Sequence, residues 1–279
     1  MATIKSPPAG VLPRVVGLAY QMFKIIEVLD TKNEFKCDFL LYQKWIASEE
    51  NDKNDGDELD GECTWHPHLK FRNAIDVDMQ YERAWVHHHD SNGDAVIWKY
   101  QRYQGNFYQS FNLKNYPFDA QDLCIVVDSA LQTYECIFRQ REDVKCSFSG
   151  ANFELMEWDF LKPMSQSGVL ISPTGLIFPK FTANLPVRRR SEYYTWNVFL
   201  VIIGVCIFGN FVYFIEPTAI SDRLGFTVSI VFTQIALKYT ISTRVPLIPY
   251  LSYLDKVMLI SLLIAVLTAI ENAVVYIYY

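Results

Sequence analysis

The chain has 279 residues, of which 51% are hydrophobic, and a formal net charge of −6 at pH 7. The apolar residues are unevenly distributed, since residues 194–279 are almost continuously apolar while residues 1–190 hold most of the charge, and this split indicates two domains. The negative charge is concentrated in Glu49–Glu62, and the only basic cluster is Arg188–Arg190. That distribution argues against a nucleic-acid partner.

Residues 1–189 are predicted to form a β-sandwich. Short β-rich runs recur between turn signals, and no long helical period appears. Asn92–Gly93 separates two runs and predicts a hairpin, because both residues accept a positive φ angle. A sandwich is favoured by seven runs: Val15–Leu29, Phe35–Trp45, Trp85–His89, Ala95–Tyr103, Leu123–Asp128, Phe153–Phe160 and Leu176–Leu185.

Residues 190–279 are predicted to form an all-α transmembrane domain. A helix needs about 20 apolar residues to cross a bilayer. Three segments approach that length, at about 194–215, 224–241 and 254–278, and Lys238 is the only charge inside the second. The sequence therefore predicts a multi-pass integral membrane protein whose helices contact lipid.

The second predicted span has small and hydroxylated residues on one face. Helical spacing of three and four aligns Gly225, Ser229, Phe232, Ala236 and Tyr239. Small and hydroxylated residues gain no stabilising interaction from lipid acyl chains, so we expect this face to contact protein or water. The stripe is typical of a helix that lines a pore or a bundle.

Many of these features, taken in order, resemble the pentameric ligand-gated ion channels, from about Val15 to the end of the chain. In the first domain the matching residues are Trp65, Pro67, Leu69, Asn73, Asn92, Gly93, Gly105, Phe107 and Tyr116–Gln121. In the second they are Arg189, Tyr193, Tyr194, Asn197, Asp222–Leu224, Thr233, Ala236, Lys238, Pro246, Tyr250 and Leu254–Lys256.

Three features depart from the family pattern. Gln109 and Leu123 occupy the positions where many members have two bridged cysteines, which resembles the bacterial and early eukaryotic branches. Val201 replaces the usual proline of the first span. The family's fourth span is expected to be missing, because the sequence stops at Tyr279.

The resemblance implies a pore lined by five copies of the second span. Asp222 would form an acidic ring that favours cations, although an acidic residue at this position also suits a helix N-terminus. Phe232 would occupy the gate position, and Tyr239 would add a second bulky ring; both rings could instead pack between helices.

The resemblance also implies a coupling site between the two domains. Asp119 would pair with Arg189, and Pro117 and Phe118 would contact the turn that contains Pro246 and Pro249. The turn at Asp30–Glu34 would lie beside them. The alternative for Arg188–Arg190 is a solvated basic cluster at lipid headgroups.

The ligand is not identified by the sequence. The positions that form an aromatic box in amine-sensing members hold Leu40, Arg72 and Ala130, and Gln166–Gly175 contains no aromatic residue. An amine ligand is therefore not expected. Arg72 is a candidate for binding a carboxylate, with an ordinary surface charge as the alternative. His87–His89 and Glu49–Glu62 do not form a metal-site motif. No cofactor-binding or enzymatic motif is found.

Two functions remain open. The first is a subunit of a homopentameric, cation-selective channel, gated by an unknown signal on the β-sandwich, in a plasma or bacterial inner membrane. The second is a non-conducting structural subunit of the same fold, bound to other membrane subunits, with an organellar membrane as the alternative location. The absence of a predicted secretory signal in Met1–Pro13 and of Asn-x-Ser/Thr sites favours a bacterial or organellar protein.

Overall fold

The computed structural model describes residues 13–59, 65–88, 93–141, 143–144, 147–148, 157–242 and 248–278. It has a β-rich N-terminal part with two sheets, followed by three long apolar helices. This coarse prediction from the sequence is confirmed.

The described residues of the β-rich part form eleven strands, and a short 3₁₀ turn at Ser48–Glu50 follows the second strand. The strands are β1 (Arg14–Leu29), β2 (Glu34–Ile46), β3 (Leu69–Phe71), β4 (Ala74–His88), β5 (Ala95–Tyr108), β6 (Ala120–Ser129), β7 (Cys136–Gln140), β8 (Ser147–Phe148), β9 (Trp158–Phe160), β10 (Met164–Ile171) and β11 (Ile177–Arg189).

The first sheet has the order β4-β5-β2-β1-β7, with β8 also paired to β1. The second has the order β10-β11-β6-β3, with β9 also paired to β11. Both sheets contribute to one hydrophobic core, in which Phe39 and Phe107 come from the first sheet and Phe181 and Leu185 from the second. Alternate residues of β2, including Phe35, Phe39 and Leu41, are buried because successive side chains point to opposite faces of a strand.

The hairpin between β4 and β5 is formed by antiparallel pairing from Ala74 opposite Phe107 to His88 opposite Ala95. Gly93 lies in its turn with φ at 77°, a conformation that glycine adopts without strain; Asn92 lies outside the described residues. Gly105 allows a close approach between the strands, since a Cβ atom there would lie 2.5 Å from the carbonyl oxygen of Asp76.

Three helices follow the sheets. We label them α1 (Glu192–Phe214), α2 (Ile220–Ser242) and α3 (Tyr253–Tyr278), and each is long and apolar enough to cross a membrane. α1 includes a π-helical turn at Thr195–Phe199 and ends in a 3₁₀ turn at Asn210–Phe214. Most of their large apolar side chains are exposed, as expected for helices that contact lipid.

Aromatic side chains are exposed near both ends of the helices. Tyr193 and Trp196 lie at the end next to the β-rich part, and Phe214, Tyr276 and Tyr278 lie at the other end. Aromatic residues prefer the two water interfaces of a bilayer. Their positions agree with helices that are long and apolar enough to cross a membrane.

Candidate functional site at the junction and on α2

Arg189, the last residue of β11, forms a buried charge cluster where the sheets meet the helices. Its Nε donates to Asp119 Oδ1 at 2.8 Å, and its Nη2 donates to Asp30 Oδ2 at 2.9 Å. The side chains of Arg189 and Asp119 are each only 2% exposed. Gln121 Nε2 also donates to Asp119 Oδ2 at 2.7 Å. Three backbone segments distant in sequence are thereby joined by one guanidinium group.

Two aromatic rings enclose the same guanidinium group. Its carbon atom lies 4.2 Å from the ring centroid of Trp158 and 4.8 Å from that of Tyr116. Burial lowers the pKa of Arg189, but the hydrogen bond to Asp119 and the charges of Asp119 and Asp30 outweigh it and raise the pKa. Arg189 is therefore a permanent cation at this position.

The loop between β5 and β6 connects this cluster to the helices. The hydroxyl of Tyr116 donates to that of Tyr194 in α1 at 2.6 Å. The ring of Phe118 stacks on Phe199 of α1, with centroids 5.7 Å apart, and meets Tyr253 of α3 edge-on at 5.9 Å. A displacement of this loop would thus act on two helices directly.

Backbone groups of the same loop bind the start of α3. Leu113 N donates to the hydroxyl of Tyr250 at 3.0 Å, and Tyr253 N donates to the carbonyl oxygen of Lys114 at 2.9 Å. Pro249 is exposed, and Pro246 lies outside the described residues. The observed contacts of Phe118 are therefore with Phe199 and Tyr253.

Some junction residues are not predicted as partners by the sequence. Trp158 and Tyr116 stack on Arg189 although they are 31 and 73 positions away from it along the chain. No periodicity links residues so far apart, because their contact depends on how β9 and β11 pair. The turn that contains Asp30 is expected near the site, but no pattern predicts the bond from Arg189 to its carboxylate.

On α2 the residues of the predicted stripe all lie on the exposed side of the helix. They are Asp222, Gly225, Ser229, Phe232, Ala236 and Tyr239, and the rings of Phe232 and Tyr239 are 68% and 73% exposed. The buried side of α2 consists of Arg223, Thr227, Ile230 and Gln234. At 3.6 residues per turn these two sets lie on roughly opposite faces.

Polar contacts fix the rotation of α2 against α3. The hydroxyl of Ser261 donates to Gln234 Oε1 at 3.0 Å, and Asn272 Nδ2 donates to the hydroxyl of Thr227 at 3.0 Å. Arg223 is 4% exposed and lies on this buried side, so its charge faces away from Asp222. The stripe is consequently turned away from the chain's own helices.

A pocket of about 320 Å³ lies on the second sheet and contains Arg72. Lys70, Asp128 and Ser129 also line it, together with Ser172 and Phe178 beside the β10–β11 turn. Arg72 Nη1 lies 3.4 Å from Asp128 Oδ2, and its side chain is 55% exposed. The pocket therefore presents two cations, one carboxylate and one aromatic ring. The ring is that of Phe178, which lies just beyond Gln166–Gly175, the segment that lacks aromatic residues.

The histidines do not form a metal centre in the part of the chain that the structure describes. His87 Nδ1 lies 3.2 Å from Asp55 Oδ1, and no group of three or more potential ligands is found among the described residues. His89 lies outside those residues. His66 and His68 stack with ring centroids 4.8 Å apart.

Comparison with known proteins adds no family assignment. Neither a protein-family model nor a curated protein matches this chain.

Proposed function

We propose that the protein is a subunit of a pentameric ligand-gated channel that conducts cations. In this proposal the two sheets pack as a sandwich outside the membrane, and five copies of α2 surround the pore. The observation that carries the proposal is the orientation of α2. The small, hydroxylated and acidic residues of the stripe are exposed, while the opposite face, which includes Thr227, is packed against α3.

This orientation favours a pore because the helix is expected to lie in a membrane. An aspartate and a serine gain nothing from acyl chains, so their face of the helix requires water or protein. Repeating the stripe around an axis would place a ring of Asp222 at one mouth, where it attracts cations. Rings of Phe232 and Tyr239 would form apolar constrictions that exclude water when the pore is closed.

The junction supports a mechanism for gating. The loop from Asn112 to Asp119 contacts α1 and α3, and the cluster around Arg189 fastens it to both sheets. A ligand in the Arg72 pocket would contact β3, β6 and the β10–β11 turn. β6 begins next to Asp119, and β11 ends at Arg189. A displacement of these two strands would therefore also displace Asp119 and Arg189.

The Arg72 pocket supports a charged ligand. Lys70 and Arg72 can bind a carboxylate, and Asp128 can bind an ammonium group, so a small zwitterion fits the pocket best. A cationic amine without a carboxylate would lack the multiple aromatic faces that such a ligand needs.

A second function, that of a non-conducting structural subunit, is favoured by Phe232 and Tyr239. Such bulky rings would block a pore, and in a structural subunit the exposed stripe would instead bind helices of other membrane proteins. The surrounding subunits would in that case supply the polar contacts that Asp222 and Ser229 require.

Particle imaging and current recording separate the two functions. We expect the purified full chain to form five-fold particles, and Phe232→Ser to raise cation conductance in planar bilayers because it widens and wets the constriction. Asp222→Asn should lower the preference for cations over anions. Val231→Ser, on the flank of the helix, is the matched control and should leave conductance unchanged. Single copies among unrelated subunits, with no current from either variant, would contradict the channel and support the structural role.

A further inference from the structure

A second pocket, of about 310 Å³, lies on the first sheet and is separate from the Arg72 pocket. We call it the Trp98 pocket. Its walls include Val15, Ile46, Val96 and Trp98, with Lys44 and His87 as the polar lining side chains. Val15 and Ile46 are 42% and 48% exposed, so the pocket offers apolar surface that is open to solvent.

Strand register explains how the pocket forms. Gly17 of β1 is opposite Lys44 of β2, and Lys44 is opposite Trp98 of β5. Side chains that are directly opposite in an antiparallel sheet lie on the same face. Because Gly17 has no side chain, the aliphatic part of Arg141 can lie over it; a Cβ atom at this position would be 3.0 Å from Arg141 Cγ.

Arg141 packs against Trp98 and Gly17, two of the residues that line the pocket. Its guanidinium carbon lies 4.5 Å from the ring centroid of Trp98, and its side chain is 3% exposed. Asp143 accepts two hydrogen bonds from Arg141, at 2.9 and 2.6 Å, and this interaction lowers the pKa of Asp143. The carboxylate of Asp143 is thus already engaged by one cation.

Among the described side chains at the rim, the charge left over is positive. Lys44 Nζ is 4.0 Å from Asp143 and 5.3 Å from the centroid of Trp98, and its side chain is 40% exposed. Arg139, opposite Gly17 in β7, forms no ion pair with any described residue. His87 faces Asp55, which compensates any charge on the imidazole. An anion would therefore be attracted to Lys44.

We propose that the Trp98 pocket binds a small monocarboxylate with an aliphatic body. The carboxylate pairs with Lys44, and the aliphatic part covers Val15, Ile46, Val96 and the edge of Trp98. A volume of about 310 Å³ is at the lower end of the range for ligand pockets. A short-chain acid fits this space, whereas a bulky amphiphile does not.

The proposal is tested with the full chain in lipid nanodiscs, using hexanoate, hexan-1-ol, hexylamine and acetate as probes in saturation-transfer NMR and calorimetry. Hexanoate should bind most tightly. Acetate lacks the apolar body, hexan-1-ol lacks the charge and hexylamine has the wrong charge, so each should bind about tenfold more weakly or not at all. Equal binding of hexanoate and hexylamine would overturn the proposal, because it would show partition into lipid.

Substitutions test whether hexanoate binds in this pocket. Lys44→Gln should weaken hexanoate binding about tenfold and leave hexan-1-ol binding unchanged, while Lys44→Arg should retain hexanoate affinity. Trp98→Leu should weaken both. Lys36→Gln, on the same face of β2 but at its far end, is the matched control and should bind like wild type. Hexanoate binding that survives Lys44→Gln, or that Lys36→Gln weakens equally, would overturn the assignment.

Discussion

Arg189 is a buried cation. Its burial costs desolvation free energy, which its interaction partners must offset. Two carboxylates and two aromatic faces surround it, so each of its neighbours contributes to keeping the charge at the junction. The neighbouring Arg190 pairs with Asp159 in an exposed bridge, with both side chains about half exposed. The two adjacent arginines thus differ in environment. The loss of stability on removal of the carboxylate partner should therefore differ between them.

Asp119→Ala should destabilise the protein by about 3–5 kcal/mol, because it leaves a buried guanidinium group with only Asp30 as a charged partner. The matched control is Asp159→Ala, which removes an exposed partner and should cost no more than about 1 kcal/mol. Chemical denaturation in detergent, followed by tryptophan fluorescence, gives both values. Equal losses in the two variants would show that Arg189 needs no buried counter-ion.

His66 should make stability depend on pH. Burial, the neighbouring His68 and Lys99 lower its pKa from 6.5, and Glu82 only partly opposes them. Well above pH 6.5 the imidazole is neutral in both the folded and the unfolded state, so His66 does not lower the free energy of unfolding there. As the pH falls below 6.5 the unfolded chain binds the proton first, and stability declines towards the folded-state pKa. His66→Gln should therefore lose less thermal stability between about pH 7.5 and 5.5 than wild type does. An identical loss would assign the effect to other groups.

At the scale of elements, alternation predicted the strands that have one buried face. β2, β6 and β11 were found in this way, because their core-facing residues recur every second position. β4 was predicted only over its last residues: it is an edge strand, and its Ile75, Met79 and Tyr81 are exposed. β10 was not predicted, since its sequence does not alternate and it forms by pairing with β11.

Gly105 gives a test of how tightly β4 and β5 approach. An alanine Cβ there would lie 2.5 Å from Asp76 O and 2.6 Å from Val77 Cγ2, and the backbone oxygen cannot rotate away. Gly105→Ala should therefore cost about 1–3 kcal/mol of stability. Gly168→Ala in β10 is the control, because no atom lies within 4 Å of the position that its Cβ would occupy. Similar free energies of unfolding for the two variants would contradict the close approach.

At the scale of the whole molecule, the sequence predicted the division into a β-rich part and a helical part, but not the contacts between these two parts. Composition alone separates the two parts, and hydropathy identifies three apolar helices. The resemblance to channels supplied Asp119 and Arg189 as a pair. The stacking of Phe118 on Phe199 and Tyr253 could not be predicted from patterns, because it depends on the relative position of two parts with different periodicities.

The ring of Phe118 contacts both α1 and α3, and its removal should weaken the attachment of the loop to the helices. Phe118→Ala deletes both ring contacts while leaving the Arg189 cluster intact. We expect faster hydrogen–deuterium exchange at the start of α3, where Tyr253 N and Leu254 N donate to the same loop. Exchange in β2 and β5 should be unchanged. Tyr134→Ala, an exposed aromatic residue in the β-rich part, is the control. Faster exchange throughout the molecule would indicate general destabilisation, and no change at α3 would show that the helices are held without this ring.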